Sequence, residues 1–296
     1  MNKSILAVAC LVAAGIAGQV RAERLVALTN LVSGGQGLRS FDSSSPDVFS
    51  EMSITGVADD EELQAIDFRP LTGQLYALSD MDAIYTISAT GVATKVGSGF
   101  MNPDNGNQLN GGNFGFDFNP QIDKIRIVSD ANQNFVAHPD TGDANIAMTT
   151  PVAFAAGDAN EGVDPNVVHH AYDGNVLGAL ASSTQLRAID TQLDMLVTQA
   201  NNAGTLQTVG SLGIDASDIG GFDVATTGNA FAAFSDGVGA VTSTLYSIDL
   251  STGAATSLGT ISTTVWGLAA VPVPEPSSAA LAVLAMLGGI WGIRRR

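Results

Sequence analysis

The chain has 296 residues, of which 33 are glycine, 14% are charged and 45% are hydrophobic. So much glycine with so little charge excludes a helical bundle or coiled coil, and the hydrophobic share excludes disorder; the mixture suits an all-β chain with many tight turns. Twelve basic residues against 29 acidic ones give a net charge of −17, which repels phosphate backbones and anionic headgroups and argues against a nucleic-acid partner.

Taken in chain order, residues 1–22 have three parts: a positive start at Lys3, an apolar run from Ile5 to Ala17, and Val20-Arg21-Ala22, which sets small or compact residues where a signal peptidase reads. This is a secretory signal, with cleavage expected after Ala22. The single cysteine, Cys10, lies inside it, so the mature body has no thiol for a disulfide, a zinc–thiolate site or a cysteine nucleophile. Five of the basic residues (Lys3, Arg21, Arg294, Arg295, Arg296) and one acid (Glu275) lie in the two ends. The body over 23–272 therefore keeps seven basic residues against 28 acidic ones, a net of −21.

The body opens with about three strands over 25–56 (Leu25–Thr29, Leu38–Phe41, Val48–Ile54). A repeating unit follows. Its first copy is Ala65-Ile66-Asp67-Phe68-Arg69-Pro70 and then Leu75-Tyr76-Ala77-Leu78-Ser79. The second is Gly115-Phe116-Asp117-Phe118-Asn119-Pro120 and then Ile125-Arg126-Ile127-Val128-Ser129. The third is Gly221-Phe222-Asp223-Val224 and then Ala230-Phe231-Ala232-Ala233-Phe234-Ser235. Each reads as a strand, a tight turn and a second strand. A second hairpin follows each one, as in Ile84-Tyr85-Thr86-Ile87 with Thr90-Gly91, and Leu245-Tyr246-Ser247-Ile248 with Thr252-Gly253. Two hairpins make a four-stranded sheet recurring every 45–55 residues, which is the spacing of propeller blades. Blades are expected near 62–100, 113–155, 166–210 and 219–262.

Residues 264–271 (Thr264-Val265-Trp266-Gly267-Leu268-Ala269-Ala270-Val271) are left as a lone strand. Pairing it with the N-terminal strands completes a fifth blade and removes the exposed sheet edges. The expected fold is an all-β propeller of five four-stranded blades; a six-bladed ring or an irregular β-sandwich are the alternatives.

Asp67, Asp117 and Asp223 recur at one position of the opening strand. They are candidate ligand or structural carboxylates. Convergence at a central channel would serve acid–base chemistry or a cation; the plainer expectation is that each accepts backbone N–H groups in its own blade turn. The segment Gly157-Asp158-Ala159-Asn160-Glu161-Gly162-Val163-Asp164-Pro165-Asn166 is rich in oxygen ligands of the kind calcium accepts, as is Asn102–Asn107, but residue 12 counted from Asp158 is His169 where an EF-hand needs Glu. Turn chemistry explains both segments, so no cofactor and no metal site is assigned, calcium being the one ion they would suit. His169-His170 adjoin on a strand and point to opposite faces, so they cannot share a metal. No Gly-x-Ser-x-Gly elbow and no Gly-x-x-x-x-Gly-Lys phosphate loop occurs, so no catalytic residue is assigned.

The stretch from Phe114 through Asp130, with Gln133-Asn134, Pro139-Asp140-Thr141-Gly142, Ala155–Asn160 and part of Ala203–Gly213, resembles a bacterial domain family of unknown function, over about residues 24–270. The resemblance implies a secreted, propeller-like domain and carries no catalytic residues.

The last 24 residues, 273–296, begin Val273-Pro274-Glu275-Pro276, continue uncharged from Ser277 to Ile293, and end Arg294-Arg295-Arg296. Seventeen helical residues would reach ~26 Å, a marginal membrane span, and the arginines would hold the end on the cytoplasmic side. In that order these parts resemble the PEP-CTERM sorting tail of Gram-negative bacteria. The resemblance implies recognition at Pro274-Glu275-Pro276 by an exosortase, transient inner-membrane anchoring, and release to the cell surface or exterior. A plain single-span anchor is the alternative. The expected partners are a signal peptidase, an exosortase, and a glycan or envelope protein. The expected role is a non-enzymatic binding or structural component of the envelope or extracellular matrix; the alternative is a secreted polysaccharide hydrolase using the channel aspartates.

Overall fold

A computed structural model describes residues 22–100, 108–145, 149–237 and 239–274. Its described residues fold into five small sheets and no helix. Blade 1 combines β1 (Arg24–Asn30), β2 (Gln36–Asp42) and β3 (Ser45–Ser53) with the last strand, β21 (Val265–Ala270), in the order β21-β1-β2-β3. Blade 2 is β4 (Leu63–Phe68), β5 (Leu75–Ser79), β6 (Ala83–Ile87) and β7 (Ala93–Lys95). Blade 3 is β8 (Phe114–Asn119), β9 (Lys124–Ser129), β10 (Asn134–Ala137) and β11 (Ala144–Asn145). Blade 4 is β13 (Val167–Tyr172), β14 (Leu186–Asp190), β15 (Met195–Gln199) and β16 (Thr205–Ser211), with β12 (Ala153–Phe154) outermost. Blade 5 is β17 (Gly220–Val224), β18 (Ala230–Ser235), β19 (Ser243–Ile248) and β20 (Ala255–Ile261).

The strands β21, β4, β8, β13 and β17 stand next to one another around a closed ring. They are buried almost throughout, because each packs a neighbouring blade on both faces. The core therefore lies between blades as stacked apolar layers. One such layer joins Val26, Leu38, Ile66 and Leu75 across blades 1 and 2, with Trp266 against it. Glycines let the inner strands close on the axis: a β-carbon at Gly221 would stand 2.3 Å from the backbone nitrogen of Leu268.

Closure follows the expected seam. β21 pairs antiparallel with β1 (Leu25 with Ala270, Ala27 with Leu268) and shifts register before Thr29 meets Val265. Trp266 thus lies beside the N-terminal strand. The seam is stapled to the β17–β18 turn. The Glu23 carboxylate accepts Thr227 Oγ1 (2.7 Å) and Asn229 Nδ2 (3.2 Å), while the Val273 N–H donates to Thr226 Oγ1 (3.4 Å). Both ends of the described body leave the ring there.

One strand departs from the expected pattern. Residues 153–154, read from sequence as part of the third blade, form a parallel fifth strand of blade 4, with Ala153 opposite Thr205 and Phe154 opposite Leu206. Val152 and Phe154 bury their side chains with Val197 and Leu206 of that blade, and among the described residues the rim strand of blade 3 is the two-residue β11.

Candidate functional site: an aspartate ring on the propeller axis

The inner strand of each blade is a sheet edge, so its axis-facing N–H groups have no ladder partner and need another acceptor. At one level of the ring these donors are Phe68, Phe118, Tyr172, Val224 and Ala270. Three carboxylates take all five. Asp67 accepts the N–H of Phe68 (2.6 Å) and of Phe118 (2.8 Å). Asp117 accepts Tyr172 (2.9 Å). Asp223 accepts Val224 (2.6 Å) and Ala270 (2.6 Å). The residues preceding the donors Tyr172 and Ala270, where the other blades have aspartate, are Ala171 and Ala269.

The sequence thus places these side chains on equivalent strands, and the ring brings them together, with one oxygen of each within 4.8 Å of the others. The expected hydrogen bonds within each blade's own turn are replaced by a different set. Every aspartate reaches across to the next blade, and two of them also cap their own strand. The bonds are longer-range than expected because the inner strand is the sheet edge, whereas the turn N–H groups are satisfied locally, as where Gly73 donates to the Arg69 carbonyl.

All three are buried, at 6% exposure or less. Burial, then the Asp223 charge, raises the Asp67 carboxyl well above its ordinary range. Burial raises Asp117 well above it too, followed by the charges of Asp67 and Asp223. Burial raises Asp223 to about 6 against the pull of the Ala270 and Val224 N–H groups. Three bare anions in such a site would repel one another strongly; burial and this repulsion favour the protonated forms, and the cluster titrates as one unit.

Calcium takes six to eight oxygens, whereas five of the six carboxylate oxygens here already face an N–H group. The donor set suits the backbone better than an ion. Hydrolytic use needs space for a sugar between carboxyl groups. The three carboxyl groups are instead buried at 6% exposure or less; a separate cavity on the same inner strands, lined by Ala65, Phe114, His170, Gly221 and Leu268 among others and by none of the aspartates, holds about 20 Å³, room for roughly one water.

The remaining candidates do not join this cluster. Asp158 caps blade 4, accepting the Asn160 N–H (2.9 Å), the Thr208 N–H (2.8 Å) and the Thr208 hydroxyl (2.8 Å). Asp164 accepts Asn132 Nδ2 (2.7 Å). His169 and His170 diverge: Nε2 of His169 bonds the Ser217 carbonyl (2.9 Å) towards blade 5, and that of His170 bonds the Arg126 carbonyl (3.1 Å) towards blade 3. Burial, then the Arg126 charge, lowers His170 to about 3. Ala22 and Pro274 are exposed at the ends of the body. Asn102–Asn107, Glu275, Pro276 and Arg294–Arg296 lie outside the described residues.

Sequence reasoning missed Arg126. Its buried guanidinium donates to Tyr172 Oη (2.8 Å), Asn134 Oδ1 (2.5 Å) and Asn202 Oδ1 (2.8 Å), and so ties blade 3 to blade 4. Its place opposite Asp117 in the β8–β9 register is the signal that could have found it, since both side chains share the inner face of the hairpin. Arg69 plays the matching part between blades 2 and 3, held by Asp123 and Asp140.

A family model described as "Domain of unknown function (DUF4394)" matches residues 37–269, and the chain belongs to that family. No curated protein matches the sequence. Among solved structures, the chain is similar to TolB from Acinetobacter baumannii, at 12% identity and TM-score 0.46, covering 85% of this chain and 67% of that one. A chain from a nidogen/laminin complex aligns at 11% identity and TM-score 0.47, covering 86% and 99%. A putative 6-phosphogluconolactonase from Bacteroides uniformis aligns at 12% identity and TM-score 0.43, covering 82% and 83%.

Proposed function

We propose that this member of the DUF4394 family is an exported, non-enzymatic propeller, a binding or structural component of the cell envelope or extracellular matrix. A signal peptidase would cut after Ala22. An exosortase would cut near Pro274-Glu275-Pro276 and free the body from a transient anchor ending in Arg294-Arg295-Arg296.

One observation carries the non-enzymatic part. The axial carboxylates, which are the acid cluster a hydrolase would use, are buried and spent on five backbone N–H groups. Such a ring stabilises closure and leaves the rim loops to make contacts. The exposure of Ala22 and Pro274 supports the two processing steps, since a protease needs an accessible strand.

Two measurements test this reading. Intact mass of the chain expressed in an exosortase-bearing Gram-negative host is expected to show the body starting at Glu23, lacking the arginine tail and recovered from surface or medium. A full-length chain retained in the cytoplasm contradicts export. Purified wild type is expected to release no reducing ends from envelope polysaccharide; release that vanishes in a folded Asp117→Asn variant would establish the hydrolase instead.

A further inference from the structure

Between blades 4 and 5, at the end of the ring away from the seam staple, the 212–219 connection meets the loop after β18 around a cavity of about 520 Å³. Its lining includes Phe234, Tyr246, Ile219, Ser217, Asp215 and Asp236. The floor is built before any ligand arrives. The Phe234 ring lies 5.4 Å from His169, itself held by the Ser217 carbonyl, and 6.0 Å from Tyr246. Gly220 leaves the ring its place, since a β-carbon there would stand 3.0 Å from the Phe234 Cδ1. At the rim, Asp236 is fixed by the hydroxyls of Thr242 (2.6 Å) and Thr244 (2.7 Å), while Asp215 is exposed. The cavity's lining holds two carboxylates and no basic residue.

From this geometry we infer a binding subsite for an amino sugar of a glycan. The inference rests on the binding-module reading above and gives it a location and a ligand class. The half-buried Tyr246 ring, backed by the buried Phe234, offers a face to the C–H side of a sugar ring or to a cation. The two carboxylates take ammonium or hydroxyl donors, and the hydroxyl of Ser217 adds a group able to give or accept a bond. A uronic acid would meet like charge at Asp215 and Asp236, and this disfavours acidic glycans. A lysine side chain would satisfy the carboxylates and stand over the Tyr246 ring but leave the Ser217 hydroxyl unused, so the sugar fits the set more completely. A cavity of this size with few convergent polar groups has the form of a small-ligand site.

The test is calorimetric titration of the full chain in detergent with a glucosamine hexamer, its N-acetylated counterpart, an oligouronate and a lysine pentapeptide, at a pH that keeps the amines protonated. The glucosamine hexamer is expected to bind, the N-acetylated form about tenfold more weakly, and the oligouronate not at all. Asp215→Asn is expected to weaken binding about tenfold with unchanged melting, and Tyr246→Ala to abolish it. Absence of glucosamine binding, binding that survives both substitutions, or displacement by a tighter-binding pentapeptide would each overturn the inference. None of these touches the export reading, which intact mass tests separately.

Discussion

On the ring axis, three of the five blade interfaces are crossed by a carboxylate and two are not. Asp67 spans blades 2 and 3, Asp117 spans blades 3 and 4, and Asp223 spans blade 5 and the seam blade. Between blades 4 and 5, and between blades 1 and 2, the equivalent residues are Ala171 and Ala269, and the waiting N–H groups of Val224 and Phe68 are taken from their own side by Asp223 and Asp67. Groups off the axis hold these interfaces. Asn166 Nδ2 and Thr191 Oγ1 meet Asp218 Oδ1 (2.9 and 2.5 Å), and Asn175 Nδ2 reaches the Val224 carbonyl (2.9 Å). Gln36 exchanges two 2.8 Å bonds with the backbone of Leu63. The difference shows how few charges a closed ring tolerates on its axis. Five edges need capping, a carboxylate has two oxygens, and three carboxylates suffice. A fourth would add repulsion and find no donor.

That contrast can be broken directly. Ala269→Asp puts a fourth acid at a level where every N–H is taken, and is expected to cost about 3–5 kcal/mol in urea unfolding, the cost of an uncompensated buried charge. Gly221→Ala drives a β-carbon into the Leu268 backbone on the neighbouring inner strand and is expected to cost about 3 kcal/mol, measured the same way. Asp117→Asn sharpens the contrast with the smallest effect. Asp117 accepts one backbone N–H, which an amide oxygen can still accept. Its carboxyl is raised above the ordinary value of 3.8, so the folded chain holds a proton that the unfolded chain has released. Wild type therefore loses stability as pH climbs from 3.8 towards the folded value, and the variant, which has no such group, gains on it by up to about 1.4 kcal/mol per pH unit. Subtracting the two unfolding curves cancels the opposite trend of His170, which, buried neutral, costs stability as pH falls below 6.5 towards about 3.

Much of the ring is legible in the sequence because a blade is local. Strand, turn and strand recur within about 50 residues, so Asp67, Asp117 and Asp223 line up by eye and the orphan strand around Trp266 points to the missing edge of blade 1. What joins blades is not local. The partner of Asp67 is the N–H of Phe118, 51 residues on. Nothing in either hairpin says that a strand edge in one needs the side chain of another. The same limit hides what Arg126 does: its register opposite Asp117 is local, but its contacts with Tyr172 and Asn202 lie 46 and 76 residues away. It also hides the cavity by Tyr246, assembled from two connections that only ring closure brings together. The short strand β12 escapes the sequence pattern for a related reason: two residues carry no periodicity, and burial against Leu206 decides their sheet.

The claim on which the account rests is that the axial aspartates hold the ring shut. Urea unfolding of Asp67→Asn beside Asp117→Asn, each with and without calcium, tests it most directly. Asp67→Asn turns an amide NH₂ towards one of its two N–H donors and is predicted to cost about 2–4 kcal/mol, Asp117→Asn about 1 kcal/mol or less at neutral pH, with no response to calcium in either. An Asp67→Asn protein as stable as wild type, in a system where calcium raises only the wild-type midpoint, would contradict it.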